Sequence, residues 1–219
     1  MISYEEIRAN EEIKTYIREA DKSLLALGYT EHAFAHVGAV SDRCEYILTE
    51  LGYDKHTVEL AKIAGYLHDI GNVVNRVDHS QSGAIMAFRI LDKLGMDACD
   101  IATIVTAIGN HDEGTGVPVN MVAAALILAD KTDVRRSRVR NSDTASFDIH
   151  DRVNFSVEAA ELAFSEDRTK IILSLKIDTA ISSIMSYFEI FLTRMLLCRK
   201  AAEKLGIAFL LEINGQRII

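Results

Sequence analysis

Four histidines and two aspartates, His36, His68, Asp69, His79, His111 and Asp130, sit where ordinary core or surface packing does not explain them. Neutral imidazole and carboxylate together are the donor mixture of divalent transition metals, and a metal so held activates water. His68 and Asp69 close the apolar run VELAKIAGYLHD, in which Ala61, Ala64 and Gly65 precede His68 on its own face and let a neighbouring helix approach. His79 opens the next pattern, with Gly83, Met86 and Ile90 following at inward spacing. His111 follows Ile101, Ile104 and Ile108, Asp130 follows Val122, Ala123, Leu126 and Ile127, and His36 lies between Ala33 and Val40. An ionised, unpaired carboxylate on such a stripe costs several kcal/mol, and metal ligation is one of the few arrangements that removes the cost.

Each residue alone reads as a hydrogen-bonded core or cap residue. Five helices burying polar groups for unrelated reasons is a poorer account than one shared metal site. His56 and His150 are read as ordinary hydrogen-bonded residues. His-Asp occurs at His68-Asp69, His111-Asp112 and His150-Asp151, but only the first ends an apolar helix, so only it is taken as a chemical pair.

The elements that must position these groups are helices over roughly 3–20, 30–51, 56–68, 79–95, 97–110 and 119–134, separated by turns marked with Gly, Asp or Asn. After about residue 140 the texture changes. VNFSVEAAELAF and KIILSLKID flank the polar tract SEDRT and read as two strands, followed by an amphipathic helix over about 179–204 and a strand AFLLEI. The expected architecture is mostly α: a bundle of about six helices over 1–140 that binds metal, and a small C-terminal α+β (β-β-α-β) extension over 141–219 of unassigned role. The stripe Ile184, Tyr187, Phe188, Phe191 and Met195 could serve as a homodimer face.

Composition narrows the function. The 219 residues carry 24 Lys+Arg against 32 Asp+Glu, a net charge of -8, which argues against a nucleic-acid polymer or an anionic membrane as partner. Three widely spaced cysteines, Cys44, Cys99 and Cys198, form neither a disulfide framework nor a thiolate zinc site and fit a reducing cytoplasm. The stretch Val117 to Ala129 is too short to span a bilayer, and the start MISYEEIRANEE lacks the basic and apolar regions of a signal peptide. A cytoplasmic protein is expected.

The order His36, His68-Asp69, His79, His111, Asp130 on successive helices resembles the HD superfamily of metal-dependent phosphohydrolases, in particular the subgroup whose two additional histidines hold a second metal. The resemblance covers about residues 30–140. It implies an HD-domain helical bundle with His36, His68, Asp69 and Asp130 around one metal and Asp69 bridging to a second held by His79 and His111. His68 and Asp69 then form the catalytic centre, and the cofactor is a pair of divalent transition metals, iron, manganese, zinc or cobalt. Two features depart from the cyclic-dinucleotide phosphodiesterase branch: HDIGN has Asn72 where that branch has Lys, and NHDEGTGVP has a single His111 and Val117 in place of its paired-histidine, Gly-Tyr-Pro signature. Asn72 could still donate a neutral hydrogen bond to substrate. The stretch ADKTDVRR, which contains Asp130 and the residues after it, is similar to HD-type hydrolases that cleave symmetrical dinucleoside polyphosphates.

An anionic substrate has separate support, because Lys131, Arg135, Arg136, Arg138 and Arg140 cluster beyond Asp130 in an acidic chain. Arg135 and Arg136 lie nearest and are the preferred phosphate contacts, with Lys131, Asn72 and His32, one helical turn before His36, as further substrate residues. The expected function is hydrolysis of a phosphate ester or anhydride of a small molecule, a nucleotide above all, by metal-activated water. The alternatives are an HD-type di-iron oxygenase and a non-catalytic ligand-binding module.

Overall fold

The computed structural model describes residues 2–141 and 147–218. Where the sequence predicts one helix over 3–20, there are two, α1 (Tyr4–Ala9) and α2 (Glu11–Ala26). Asn10 divides them: its backbone is extended, and its side-chain oxygen accepts from the Glu12 and Ile13 amides. A local hydrogen bond that caps a new helix outcompetes continuation of the old one.

The bundle continues with α3 (Phe34–Glu50), α4 (Lys55–Leu67), α5 (His79–Lys93), α6 (Ala98–Gly109) and α7 (Met121–Lys131). Every residue of α7 from Val122 to Ala129 is buried. A helix apolar on all sides must be enclosed, and α3, α4 and α6 pack around it. Two glycines set the close approaches that matter. A Cβ on Gly65 would stand 3.1 Å from the Ser41 backbone, so α3 and α4 cross at near backbone contact. A Cβ on Gly71, in the short 3-10 turn Ile70–Val73, would collide with the His79 carbonyl and the Gly83 amide. Glycine there lets the chain after Asp69 lie against the first turn of α5, which brings Asp69 beside His79.

The C-terminal part comprises α8 (Ile149–Ser156), β1 (Val157–Phe164), β2 (Lys170–Ile177), α9 (Ile184–Lys204), β3 (Ala208–Ile213) and β4 (Gln216–Arg217). The expected first strand is thus shortened. Asp148 caps the Asp151 amide and starts a helix that takes in Val153 to Ser156, so the strand begins only at Val157. The sheet order is β1-β2-β3-β4; β1 and β2 form an antiparallel hairpin, Leu162 opposite Leu173, while β2 and β3 run parallel, Leu173 beside Leu211. Parallel neighbours need a crossover, and α9 supplies it. The turn Asn214-Gly215, both at positive φ, adds the short β4, which the sequence reading did not foresee.

Helix α9 packs on α7 as well as on β3. Its Tyr187, Phe191, Met195, Cys198 and Ala201 are buried in the same contiguous apolar cluster as α7, so that stripe is not a free dimer face. Ile184 and Phe188 pack against the cluster from its edge. The result is a mostly α bundle with a small C-terminal α+β extension. Among the described residues no helix is long and apolar enough to cross a membrane.

Candidate metal centre

Five helix ends or faces deliver the six side chains to one place. His36 lies in the first turn of α3, His68 and Asp69 follow α4, His79 begins α5, His111 follows α6, and Asp130 lies in the last turn of α7. His36, His68, Asp69, His79 and His111 are each 5% exposed or less. Nε2 of His36 stands 3.3 Å from Asp130 Oδ1, and Nε2 of His68 stands 3.3 Å from Asp69 Oδ2 and 3.7 Å from Asp130 Oδ1. His79 Nε2 lies 3.5 Å from Asp69 Oδ1 and 3.2 Å from His111 Nε2.

The other ring nitrogens fix the tautomers. Nδ1 of His68, His79 and His111 donates to the carbonyl three residues earlier, Gly65 at 2.8 Å, Arg76 at 3.0 Å and Ile108 at 2.6 Å. His36 Nδ1 donates to the Asp133 carboxylate at 2.7 Å. A carbonyl can only accept, so each neutral ring carries its proton on Nδ1 and presents a bare Nε2 lone pair inward. The Nε2 atoms of His79 and His111 face one another across 3.2 Å, and Arg76 Nη1 reaches His79 Nε2 at 3.3 Å. The buried Nε2 atoms of His36 and His68 have no hydrogen-bond partner among the described residues, their nearest neighbours being carboxylate oxygens that, like an Nε2 lone pair, only accept. Bare lone pairs converging on carboxylates repel unless a cation lies among them, so the donor set fits a metal. His36, His68 and Asp130, and likewise His68, Asp69 and His111, offer donor atoms all within 4.8 Å of one another.

The electrostatics agree. Burial alone would raise the Asp69 and Asp130 carboxyls, but His68 beside Asp69 and Lys131 beside Asp130 hold both well below the usual carboxylate range. Burial pushes His111 well below the ordinary imidazole value, with Lys131 adding to it, and lowers His79. Burial also depresses His68, yet Asp69 and Asp130 outweigh it and push that ring up to about 10.

Asp69, His79, His111 and Asp130 form the floor of a cavity of about 430 Å³, and the fully buried His36 and His68 support it from beneath. Lys131 and His32 line it as the sequence suggested, Lys131 with Nζ 2.8 Å from both Asp130 Oδ2 and Glu113 Oε2. Burial, then the charge of Arg138, keeps His32 well below the ordinary imidazole range, and its Nδ1 donates to Thr30 O at 2.6 Å. Asn72 is not on the cavity wall; its Nδ2 donates to Asp69 Oδ1 at 2.9 Å and orients that ligand.

Two of the expected phosphate contacts must be corrected. Arg135 turns back on Asp133, Nε to Oδ1 at 2.6 Å and Nη2 to Oδ2 at 3.0 Å, and does not line the cavity. Arg136 is held away from it by the Phe155 carbonyl and by the Phe155 ring, 4.7 Å from its guanidinium carbon. Their place on the wall is taken by Arg76, Arg138 and Arg194. His150, read as an ordinary residue, also lines the cavity, whereas His56 pairs with Asp100 at 2.8 Å. Asp133, buried and orienting His36, was missed although it sits three residues past Asp130, one helical turn on. Glu113 and Arg194 were missed as well, and no local pattern marks Arg194.

Residues 33–135 match the HD domain family. The chain is similar to an uncharacterized protein of Methanocaldococcus jannaschii, 24% identical over 210 residues that cover 85% of this chain and 79% of that protein. It is similar to ribonuclease Y of Lawsonia intracellularis, 34% identical over 104 residues, 47% of this chain and 18% of that enzyme. Among solved structures, a predicted HD superfamily hydrolase from an uncultured Thermotogales bacterium is 28% identical with a TM-score of 0.45, over 57% of this chain and 67% of that one.

Proposed function

We propose, from the premise that residues 33–135 of this chain are an HD domain, that it is a metal-dependent phosphohydrolase cleaving a phosphate ester or anhydride of a small molecule, with nucleotides the leading class. One observation carries the reading: four imidazoles, each with Nδ1 tied to a backbone carbonyl or to Asp133, aim Nε2 at Asp69, Asp130 or one another. We assign His36, His68, Asp69 and Asp130 to one ion, and Asp69, His79 and His111 to a second. Bound divalent metal supplies Lewis-acid chemistry, lowering the pKa of water and offsetting charge on phosphoryl oxygens.

The chain's own part is positioning. Asn72 fixes the carboxylate of Asp69, and Asp133 fixes the ring of His36. Lys131 sets an ammonium beside Asp130, where a phosphoryl oxygen reaching the ligands would meet it. The wall favours an anion: besides Asp69 and Asp130, the described residues that line the cavity include four cations, Arg76, Lys131, Arg138 and Arg194, against three acids, Glu113, Asp148 and Asp151. The cavity volume is that of a small-molecule pocket.

Elemental analysis of protein purified without chelator tests the metal, and phosphate release from nucleoside phosphates and dinucleoside polyphosphates tests the chemistry. About two metal equivalents and metal-dependent phosphate release are expected. Oxygen uptake without phosphate release would replace the hydrolase by an oxygenase. No metal even after reconstitution would leave a binding module.

A further inference from the structure

Arg194 belongs to α9, eighty-one residues from Glu113, yet it lines the same cavity as Asp130 and His111. Its Nε donates to Glu113 Oε1 at 2.9 Å, and its guanidinium carbon lies 4.7 Å from the centre of the Phe191 ring. A guanidinium paired with a carboxylate frequently makes two parallel bonds. This one gives Glu113 a single nitrogen, and its terminal amino groups have no acceptor among the described residues. The other oxygen of Glu113 is taken by Lys131 at 2.8 Å. One carboxylate thus holds two cations side by side on the wall next to the ligand Asp130. Because Asp130 is the remaining partner of Lys131, its commitment to a metal leaves this trio with one unbalanced positive charge.

We propose that Arg194 and Lys131 form an anion subsite for a phosphoryl group of the substrate, so that α9 is part of the substrate-binding wall. The identity of the anion rests on the hydrolase reading above. Phe191 keeps the guanidinium plane in place, and Glu113 sets its distance from Lys131.

The test is calorimetric binding of inorganic phosphate to the full chain loaded with manganese, with metal content measured on each sample. Arg194→Gln should weaken phosphate binding on the order of 10- to 100-fold with unchanged metal content, and Arg194→Lys should recover part of the loss. Because Arg194→Gln leaves Glu113 short of a partner, a second pair of variants guards against misfolding. Glu113→Gln keeps the guanidinium and should bind phosphate at least as tightly as the unaltered chain, whereas Glu113→Gln with Arg194→Gln should show the full loss. Equal phosphate affinity in that pair overturns the subsite, and so does an unaltered, metal-loaded chain that binds no phosphate. Loss of metal in Arg194→Gln also overturns it, making Arg194 a support for Asp130. Arg194-dependent phosphate binding in a protein that hydrolyses none of the phosphate compounds would sink the hydrolase reading and leave the subsite standing.

Discussion

The floor of the cavity and its C-terminal wall are built on opposite plans. On the floor, three of the four rings are held from within their own segment, each Nδ1 by the carbonyl three residues before it. Those carbonyls belong to the last turns of α4 and α6 and to the turn before α5, where backbone acceptors are short of partners. On the wall, Arg194 is held by a residue 81 positions away, and Arg138 by a carbonyl 107 positions away in addition to the nearby Asp133 carbonyl. A locally braced ligand is fixed as soon as its helix forms, whereas a wall residue is placed only when the whole chain has packed. Loss of a floor residue should therefore abolish the chemistry, and loss of a wall residue should change what is bound or how well the segments hold together.

The largest effect belongs to Asp69, which lies within 3.7 Å of nitrogens on His36, His68 and His79. Asp69→Ala should lose nearly all bound metal by elemental analysis, and with it all phosphate release. Retention of full metal content would show that the floor is not organised around this carboxylate. Asp133→Asn is the next step down, since it removes a brace and no ligand. Losing the ionised acceptor frees the His36 tautomer, and metal affinity read by competition with a chelator should fall about 10- to 100-fold. Because Asp133 also holds Arg43 and Arg135, that variant is the one floor change expected to disturb distant segments.

Acid and base should separate the metal-free floor from the loaded one. His79 and His111 are depressed in the folded chain, so between their folded values and the ordinary value near 6.5 the unfolded chain binds more protons. Their contribution is complete above about pH 6.5 and is lost as pH falls below it. His68 runs the other way: raised to about 10, its contribution is complete below the ordinary value and is lost as pH rises through about 10. Urea midpoints measured in chelator should therefore peak near neutral pH and fall on both sides. Added metal should remove the alkaline fall, because the cation replaces the His68 proton; an alkaline fall that persists would mean that His68 is not a ligand.

The same contrast explains what the sequence discloses. A buried His or Asp at a helix end announces itself, because its type conflicts with the apolar stripe around it, and the floor residues are all of this kind. Asp133 conflicts just as plainly but hides among Arg135, Arg136 and Arg138, where it reads as one more charge on a solvated helix end. Arg194 gives no signal, since a cation on a long amphipathic helix is ordinary until topology turns that face towards α7. The break at Asn10 and the helix over Val153 to Ser156 were missed for a different reason. Each is decided by one capping side chain, Asn10 and Asp148, against a pattern that reads equally well the other way.

Arg136 gives the smallest effect and the sharpest contrast with the floor. By sequence it is a phosphate contact; by structure it fastens the end of the bundle to α8, its Nε on the Phe155 carbonyl and its charge over the Phe155 ring. Arg136→Ala should cost about 1–2 kcal/mol of stability, read from the urea midpoint, for one hydrogen bond and one cation-π contact. Metal content and phosphate affinity should be unchanged, because nothing it touches lies on the floor. A tenfold loss of phosphate affinity at constant stability would return Arg136 to the substrate and would mean that the wall closes further than this structure shows.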